Sequence, residues 1–310
     1  MIYPTFFDSK NSYNLFGHKE NFDFLYSLYQ NKNLPNILLL SGDKATGKAT
    51  LINHFLFAIH DKENYDKKNN CINGKSNFYN QFKANIFQNI IYLKGSEFKS
   101  IKIDEIRELK KKIQQSPILN TDRFIILDDV ELFNTNSLNA LLKIIEEPGN
   151  NYFVLINNKS RKLLNTIQSR SIEIKVILKE NDRLEIINKL IDQYNLNTVL
   201  DPVLSKLSPG NFIKFDYICN EYELNILDDF TKNLSILLGL YKKNKDILYV
   251  KIAFFIADYY LKNSNIKQRF NQEKIYEIKN LIFDNLNNFL IYNLNQNSII
   301  NAINEKLNYE

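Results

Sequence analysis

Over residues 1–176, short apolar runs alternate with stretches whose apolar positions recur every three or four residues. The runs Asn36–Leu40, Asn89–Leu93, Arg123–Leu127, Tyr152–Ile156 and Ile172–Val176 are rich in Ile, Leu, Val and aromatic residues and predict five strands. The stretches between them are long enough for right-handed helical crossovers. The expected fold class is therefore α/β, with a five-stranded and mainly parallel sheet. From about Leu178 the strand signal fades, and segments such as RLEIINKLIDQY (183–194) predict helix after helix. Ser208-Pro209-Gly210 interrupts this helical region, and four or five longer amphipathic segments follow from about Glu223. Three parts are read: an α/β domain over 1–176, a small helical domain over 177–222 and a helical C-terminal domain over 223–310. Asp61–Lys83, polar and rich in Asn and Lys, reads as a loop or insertion.

Composition narrows the class without naming a function. With 310 residues, 44% hydrophobic and 24% charged, the chain buries a real core, which excludes a disordered or fibrous protein. A net charge of +5 is too mild to establish nucleic-acid binding, though it is compatible with one basic face. The two cysteines, Cys71 and Cys219, lie far apart, so neither a disulfide framework nor a cysteine-rich zinc site is expected. There is no signal-peptide pattern, and the longest apolar run, IAFFIADYYL (252–261), is too short and too polar to span a bilayer. A cytoplasmic chain with no membrane partner is expected.

The first strand runs directly into Ser41-Gly42-Asp43-Lys44-Ala45-Thr46-Gly47-Lys48-Ala49-Thr50, which is followed by the helical stretch LINHFLFAIH. Gly42, four residues, then Gly47 and Lys48 is the spacing of a P-loop, in which backbone N–H groups and a helix N-terminus cradle phosphates. The plainer alternative is a tight turn with Lys48 solvated. The position after the lysine should be Ser or Thr, whose hydroxyl holds Mg²⁺, but it is Ala49. Thr50 comes one residue late, rotated by about 100° around the helix. Weak or absent binding of Mg-nucleotide is expected.

A second acidic strand end, FIILDDVE (124–131), places Asp128 where a metal-orienting carboxylate stands. Asp129 follows where a water-activating Glu would be, with about 1.5 Å less reach. The alternative is that both carboxylates cap the next helix. Gly42, Gly47, Lys48, Thr50, Asp128 and Asp129 thus outline a degenerate nucleotide site, expected to be inactive in hydrolysis. His18, His54 and His60 are scattered and form no hydrolase triad; His54 reads as a packing residue.

Asn14-Leu15-Phe16-Gly17-His18, the loop SGDKATGKAT, the segment FIILDDVELFNTNSLNALLKIIEEP and the segment RKLLNTIQSRS together resemble the AAA+ subunits of bacterial clamp loaders, the delta-prime type in particular. Asn139-Ala140-Leu141-Leu142-Lys143 with Glu146-Glu147-Pro148 is the most specific part. The resemblance implies an AAA+ sheet over 1–176, a helical lid over 177–222 and an oligomerising collar over 223–310. It implies a stator of the DNA polymerase III clamp loader that does not turn over ATP. Its implied partners are the gamma/tau and delta subunits, the sliding clamp and, through the assembled complex, primed DNA.

Within the resemblance, Arg170 in Ser169-Arg170-Ser171 matches the family's arginine finger, which acts in trans on a neighbour's ATP. The alternative is a surface arginine at a helix C-terminus. Where many relatives carry a zinc-binding cysteine cluster, this chain has Cys71 with His60 as the nearest other ligand type, so zinc is not expected. Asn211 stands where active AAA+ proteins have a nucleotide-sensing Arg. No cofactor is expected, although weak ATP binding is compatible with the loop.

The helix predicted over Ser100–Gln115 carries Lys102, Arg107, Lys110, Lys111 and Lys112 and matches one that faces DNA in the family. Its alternating Asp104, Glu105 and Glu108 fit a solvated helix better. Two rival functions remain: an ATP-hydrolysing subunit of the gamma/tau type, and another P-loop protein such as a nucleotide kinase. The second leaves the NALLK and SRS segments unexplained.

Overall fold

A computed structural model describes residues 3–95, 101–115, 121–226, 230–263 and 271–308. In chain order the main elements of the first part are α1 (Lys19–Gln30), β1 (Ile37–Ser41), α2 (Lys48–His60), α3 (Asn77–Lys83), β2 (Ile90–Lys94), α4 (Ile103–Gln114), β3 (Arg123–Asp128), α5 (Thr135–Ile145), β4 (Asn151–Asn157), α6 (Asn165–Gln168), β5 (Ile172–Lys175) and α7 (Glu180–Tyr194). The five strands form one parallel sheet in the order β2-β3-β4-β1-β5. All five strands read from the sequence are present, shifted by at most a residue at each end.

Alternation along the strands builds two cores. Leu38, Leu40, Phe124, Ile126, Val154 and Ile156 face one side, where Leu51, Phe55 and Phe57 of α2 cover them. Leu39, Ile125, Leu127, Phe153 and Leu155 face the other, against Ile106 and Leu109 of α4 and Leu138, Leu141 and Ile144 of α5. Most of the strand residues are therefore apolar on both faces. β5 is the exception: it lies at an edge and leaves Ile172, Glu173 and Lys175 exposed.

Asp61–Lys83 is not a plain loop. Tyr65–Asp66 and Cys71–Ile72 pair as a small antiparallel hairpin, and α3 follows, its start capped by the Ser76 hydroxyl accepting the Tyr79 N–H at 3.0 Å. Phe78, Tyr79 and Phe82 on this helix pack against Phe57, so aromatic burial folds a segment whose polar residues suggested none.

Ser100, given above as the first residue of the basic helix, lies outside the described residues; α4 itself spans Ile103–Gln114. It buries Ile106 and Leu109 and leaves Lys110, Lys111 and Lys112 exposed, with Arg107 paired to Asp104 at 2.9 Å. Arg123 closes its C-terminal end by donating to the carbonyls of Lys112 and Gln115 at 3.0 and 2.9 Å.

The chain divides into two compact units, Tyr3–Asn195 with Lys206–Ile213, and Leu196–Ser205 with Lys214–Glu310. The elements after α7 are α8 (Pro202–Ser205), α9 (Pro209–Glu221), α10 (Phe230–Asn244), α11 (Ile247–Asn263), α12 (Gln272–Tyr292) and α13 (Gln296–Asn308). In the second unit Leu234, Leu237, Ile256, Ile282, Leu286 and Ile303 are fully buried. Asp216, 1% exposed, accepts the N–H groups of Val199 and Leu200 at 2.8 Å each, and Asp258 takes Lys279 across from α12 at 2.5 Å. Among the described residues no helix is long and apolar enough to cross a membrane.

Candidate functional site

The loop between β1 and α2 owes its path to two glycines. A Cβ on Gly42 would stand 2.2 Å from the Val176 carbonyl oxygen, so any larger residue must push the chain after β5 away. Gly47 adopts φ +99° at the start of α2, a conformation that side chains rarely tolerate. Gly42→Ala is expected to destabilise the protein by about 1–3 kcal/mol through overpacking. A urea midpoint equal to that of the wild type would show that the contact yields without cost.

Donors from this chain hold the loop's carbonyls. Lys48 Nζ donates to the carbonyls of Gly42 and Asp43 at 2.8 and 2.5 Å, and Thr46 Oγ1 to that of Asp43 at 2.9 Å. His18 donates from Nε2 to the Thr46 carbonyl at 2.6 Å, and the Gly210 N–H, at the start of α9, reaches the Ala45 carbonyl at 3.0 Å. Among the described residues the amides of Lys44, Ala45, Thr46 and Gly47 donate to no backbone carbonyl. Amides left unpaired in such a loop form a nest for an anion. Lys48 is only 3% exposed, and burial pulls its pKa down to about 8 against the opposing pull of Asp128, Glu131, Asp43 and Asp129. The lysine is thus a buried loop ligand, and the solvated reading does not hold.

The two residues after Lys48 differ from an ordinary phosphate loop in what they offer. Ala49 presents a methyl to the core beneath α2, and Thr50, half-buried, follows one step around the helix.

Beside the loop, β3 ends in Asp128 and Asp129 follows it, the two 4% and 3% exposed. Asp128 accepts the Tyr92 hydroxyl at 2.8 Å, the Lys94 ammonium at 3.3 Å and, at Oδ1, the N–H of Asp129 at 3.0 Å. Desolvation lowers the Lys94 pKa, the Asp128 and Asp129 carboxylates raise it, and the balance lies upward. Asp129 sits at φ +52° and accepts Lys44 at 3.2 Å and the Asn158 amide at 2.7 Å. Its side chain caps no helix, and the following helix, α5, is capped by Asn134 through the Ser137 N–H at 2.8 Å. The carboxylates are therefore not helix caps.

Sequence reasoning missed several participants. Glu131 is 5% exposed; its Oε1 accepts the Asn158 N–H at 3.1 Å and the Ser160 hydroxyl at 2.7 Å, and its Oε2 has no partner among the described residues. Tyr92, Lys94, Lys44 and Asn158 were also overlooked. A signal for Lys94 lies in the sheet register, which sets it beside Asp128, but the register follows from strand order and not from spacing.

Arg170 stands apart from this cluster, just beyond α6. It donates to the Thr166 carbonyl at 3.0 Å and to Glu146 at 3.1 and 2.8 Å, with its side chain 40% exposed. Asn211 lies at the third position of α9, behind Pro209 and Gly210.

Cys71 belongs to the small hairpin, whereas His60 ends α2 among Phe78, Phe87 and Phe124. Neither ring nitrogen of His60 has a hydrogen-bond partner among the described residues, and burial pushes its pKa down to about 4. His54 is fully buried, donating from Nε2 to the Ser12 carbonyl at 3.0 Å with Tyr65 at 3.3 Å, and it too is pushed down to about 4 by burial. Among the described residues no group of three His, Cys, Asp or Glu side chains is placed to hold a metal ion.

A family model described as "DNA polymerase III, delta subunit" matches residues 17–179. Among curated relatives, the DNA polymerase III subunit gamma of Buchnera aphidicola subsp. Acyrthosiphon pisum is 25% identical over 252 residues, which are 77% of this chain and 64% of that protein. The subunit delta' of Pseudomonas aeruginosa is 37% identical over 76 residues, 24% of this chain and 23% of that protein. The subunit delta' of Buchnera aphidicola subsp. Baizongia pistaciae is 27% identical over 250 residues, 76% of this chain and 74% of that protein. The chain thus spans less than two thirds of the length of the first two of these relatives. A solved DNA polymerase III gamma subunit-related protein from Thermotoga maritima is similar over 92% of this chain and 99% of its own, at 16% identity and a TM-score of 0.44.

Proposed function

We propose, since the chain belongs to the DNA polymerase III delta-subunit family, that it is a clamp-loader subunit of the delta-prime kind, which does not hydrolyse ATP and presents Arg170 to the ATP of a neighbouring subunit. Its partners in this reading are the gamma/tau and delta subunits, the sliding clamp and, within the assembled complex, primed DNA. The observation that carries the reading is Ala49. The loop keeps the glycines, the amides and the lysine that would cradle a phosphate, yet the next side chain is a methyl turned into the core. A phosphate loop without that hydroxyl loses a ligand of the Mg²⁺ on which phosphoryl transfer depends.

The test is ATP turnover by the purified chain alone and after reconstitution with gamma or tau, delta, clamp and primed DNA. No turnover alone, with turnover restored in the complex, is the expected result. Turnover by the isolated chain that disappears in Lys48→Ala would assign it to the ATP-hydrolysing gamma/tau kind. That second reading draws support from the similarity to a gamma subunit over 77% of the chain and from the nest of free amides beside Lys48.

A further inference from the structure

The Mg²⁺ that the family's nucleotide chemistry uses does not fit the residues present. Ala49 supplies no oxygen, and both oxygens of Asp128 are engaged: Oδ2 by the Tyr92 hydroxyl at 2.8 Å and Lys94 at 3.3 Å, Oδ1 by the Asp129 N–H at 3.0 Å. Asp129 Oδ1 holds Lys44 at 3.2 Å and the Asn158 amide at 2.7 Å. We infer that Lys44 and Lys94 take the place of the divalent cation at this site, so that the chain neutralises its own acidic pair and excludes metal from it. The inference rests on reading the loop and the carboxylates as a remnant nucleotide site.

Two physical points favour the lysines over an ion from solution. Asp128 and Asp129 are almost fully buried, so each needs a counter-charge whether or not a ligand is bound. A tethered ammonium competes at a high effective concentration, whereas Mg²⁺ must shed tightly held water and find near-octahedral oxygen ligands. Lys44 comes from the phosphate loop and Lys94 from the end of β2, and each pairs with a different carboxylate. Asp128 and Asp129 therefore carry one counter-charge apiece. Removing both lysines leaves two buried carboxylates without a directly paired cation, since Lys48 nearby donates to the Gly42 and Asp43 carbonyls, and an ion from solution can take the vacated positions.

Manganese is the probe, because the paramagnetic signal of free Mn²⁺ falls as the ion binds. The wild-type 310-residue chain is expected to leave the signal unchanged at millimolar Mn²⁺, and Lys44→Met/Lys94→Met to bind the ion at least about tenfold more tightly, a change of about 1.4 kcal/mol. Adding Asp128→Asn to the double variant should abolish the gain. Lys94→Gln alone, which keeps Lys44 on Asp129, should show part of the gain and serves if the double variant fails to fold by circular dichroism. Equal Mn²⁺ affinity in wild type and double variant overturns the inference, as does an equal gain in the remote charge control Lys62→Met/Lys68→Met. None of these readouts involves ATP turnover. A failure here therefore leaves the delta-prime reading to be decided by its own assay.

Discussion

Arg170→Ala is expected to lower ATP turnover by the reconstituted clamp loader by about a thousandfold, close to 4 kcal/mol of transition-state stabilisation. A guanidinium presented to a neighbour's γ-phosphate is permanently charged, planar and able to donate two hydrogen bonds at once. In the isolated chain that group is engaged by Glu146 and the Thr166 carbonyl while its side chain stays 40% exposed. Exchanging an exposed ion pair for a phosphate costs little, since such pairs contribute about 0–1 kcal/mol. The unfolding free energy of Arg170→Ala should therefore differ from that of the wild type by less than about 1 kcal/mol. Arg170→Lys keeps the charge and loses the fork, and its turnover should fall between the two. Wild-type turnover in the alanine variant would reduce Arg170 to a surface residue at the end of α6.

The second large effect is on acid stability. His54 and His60 are buried with pKa values of about 4, against about 6.5 for a solvated histidine. Below pH 6.5 the unfolded chain takes up protons that the folded chain refuses. The stability these residues support is thus complete above pH 6.5 and is lost as pH falls through about 4, each histidine accounting for about 3 kcal/mol. Urea midpoints measured between pH 7 and pH 4 would follow this loss.

His60→Phe separates the two contributions. Its ring sits among Phe78, Phe87 and Phe124 and makes no hydrogen bond that a phenyl would forfeit, so this variant should keep its stability at pH 7 and lose about half of the acid sensitivity. His54→Phe gives up the bond to the Ser12 carbonyl and should be destabilised even at neutral pH. Equal pH profiles for wild type and His60→Phe would show that His60 titrates as a solvated group.

The parallel strands were legible because strands covered on both faces read as continuous apolar runs, and β1, β3 and β4 are such runs. α3 was not, since seven residues, NFYNQFK, are too few to display a helical period and the aromatic positions are diluted by polar ones. The site divides in the same way. Gly42, Gly47, Lys48, Asp128 and Asp129 follow from local motifs, each contained within a loop or a strand end. Tyr92 and Lys94 meet Asp128 only because β2 lies beside β3, and Asn158 meets Asp129 only because β4 flanks β3 on the other side. No spacing marks Glu131, and its burial with the Asn158 N–H and the Ser160 hydroxyl on Oε1 is set by the fold. Partnerships made between strands are invisible to spacing.

Sheet order also dictates a sequence of events during synthesis. Among the described residues β1 pairs with β4 and β5, and with no strand nearer to it in the chain. Its apolar residues Ile37 to Leu40 leave the ribosome about a hundred residues before the first of those partners, an interval of roughly 5 to 20 seconds at about 5–20 residues per second. An interior strand of this sheet, flanked by β4 and the edge strand β5, is thus the first of the five to be made and among the last to be enclosed, so the nascent chain exposes this apolar segment for most of the time in which this unit is being built.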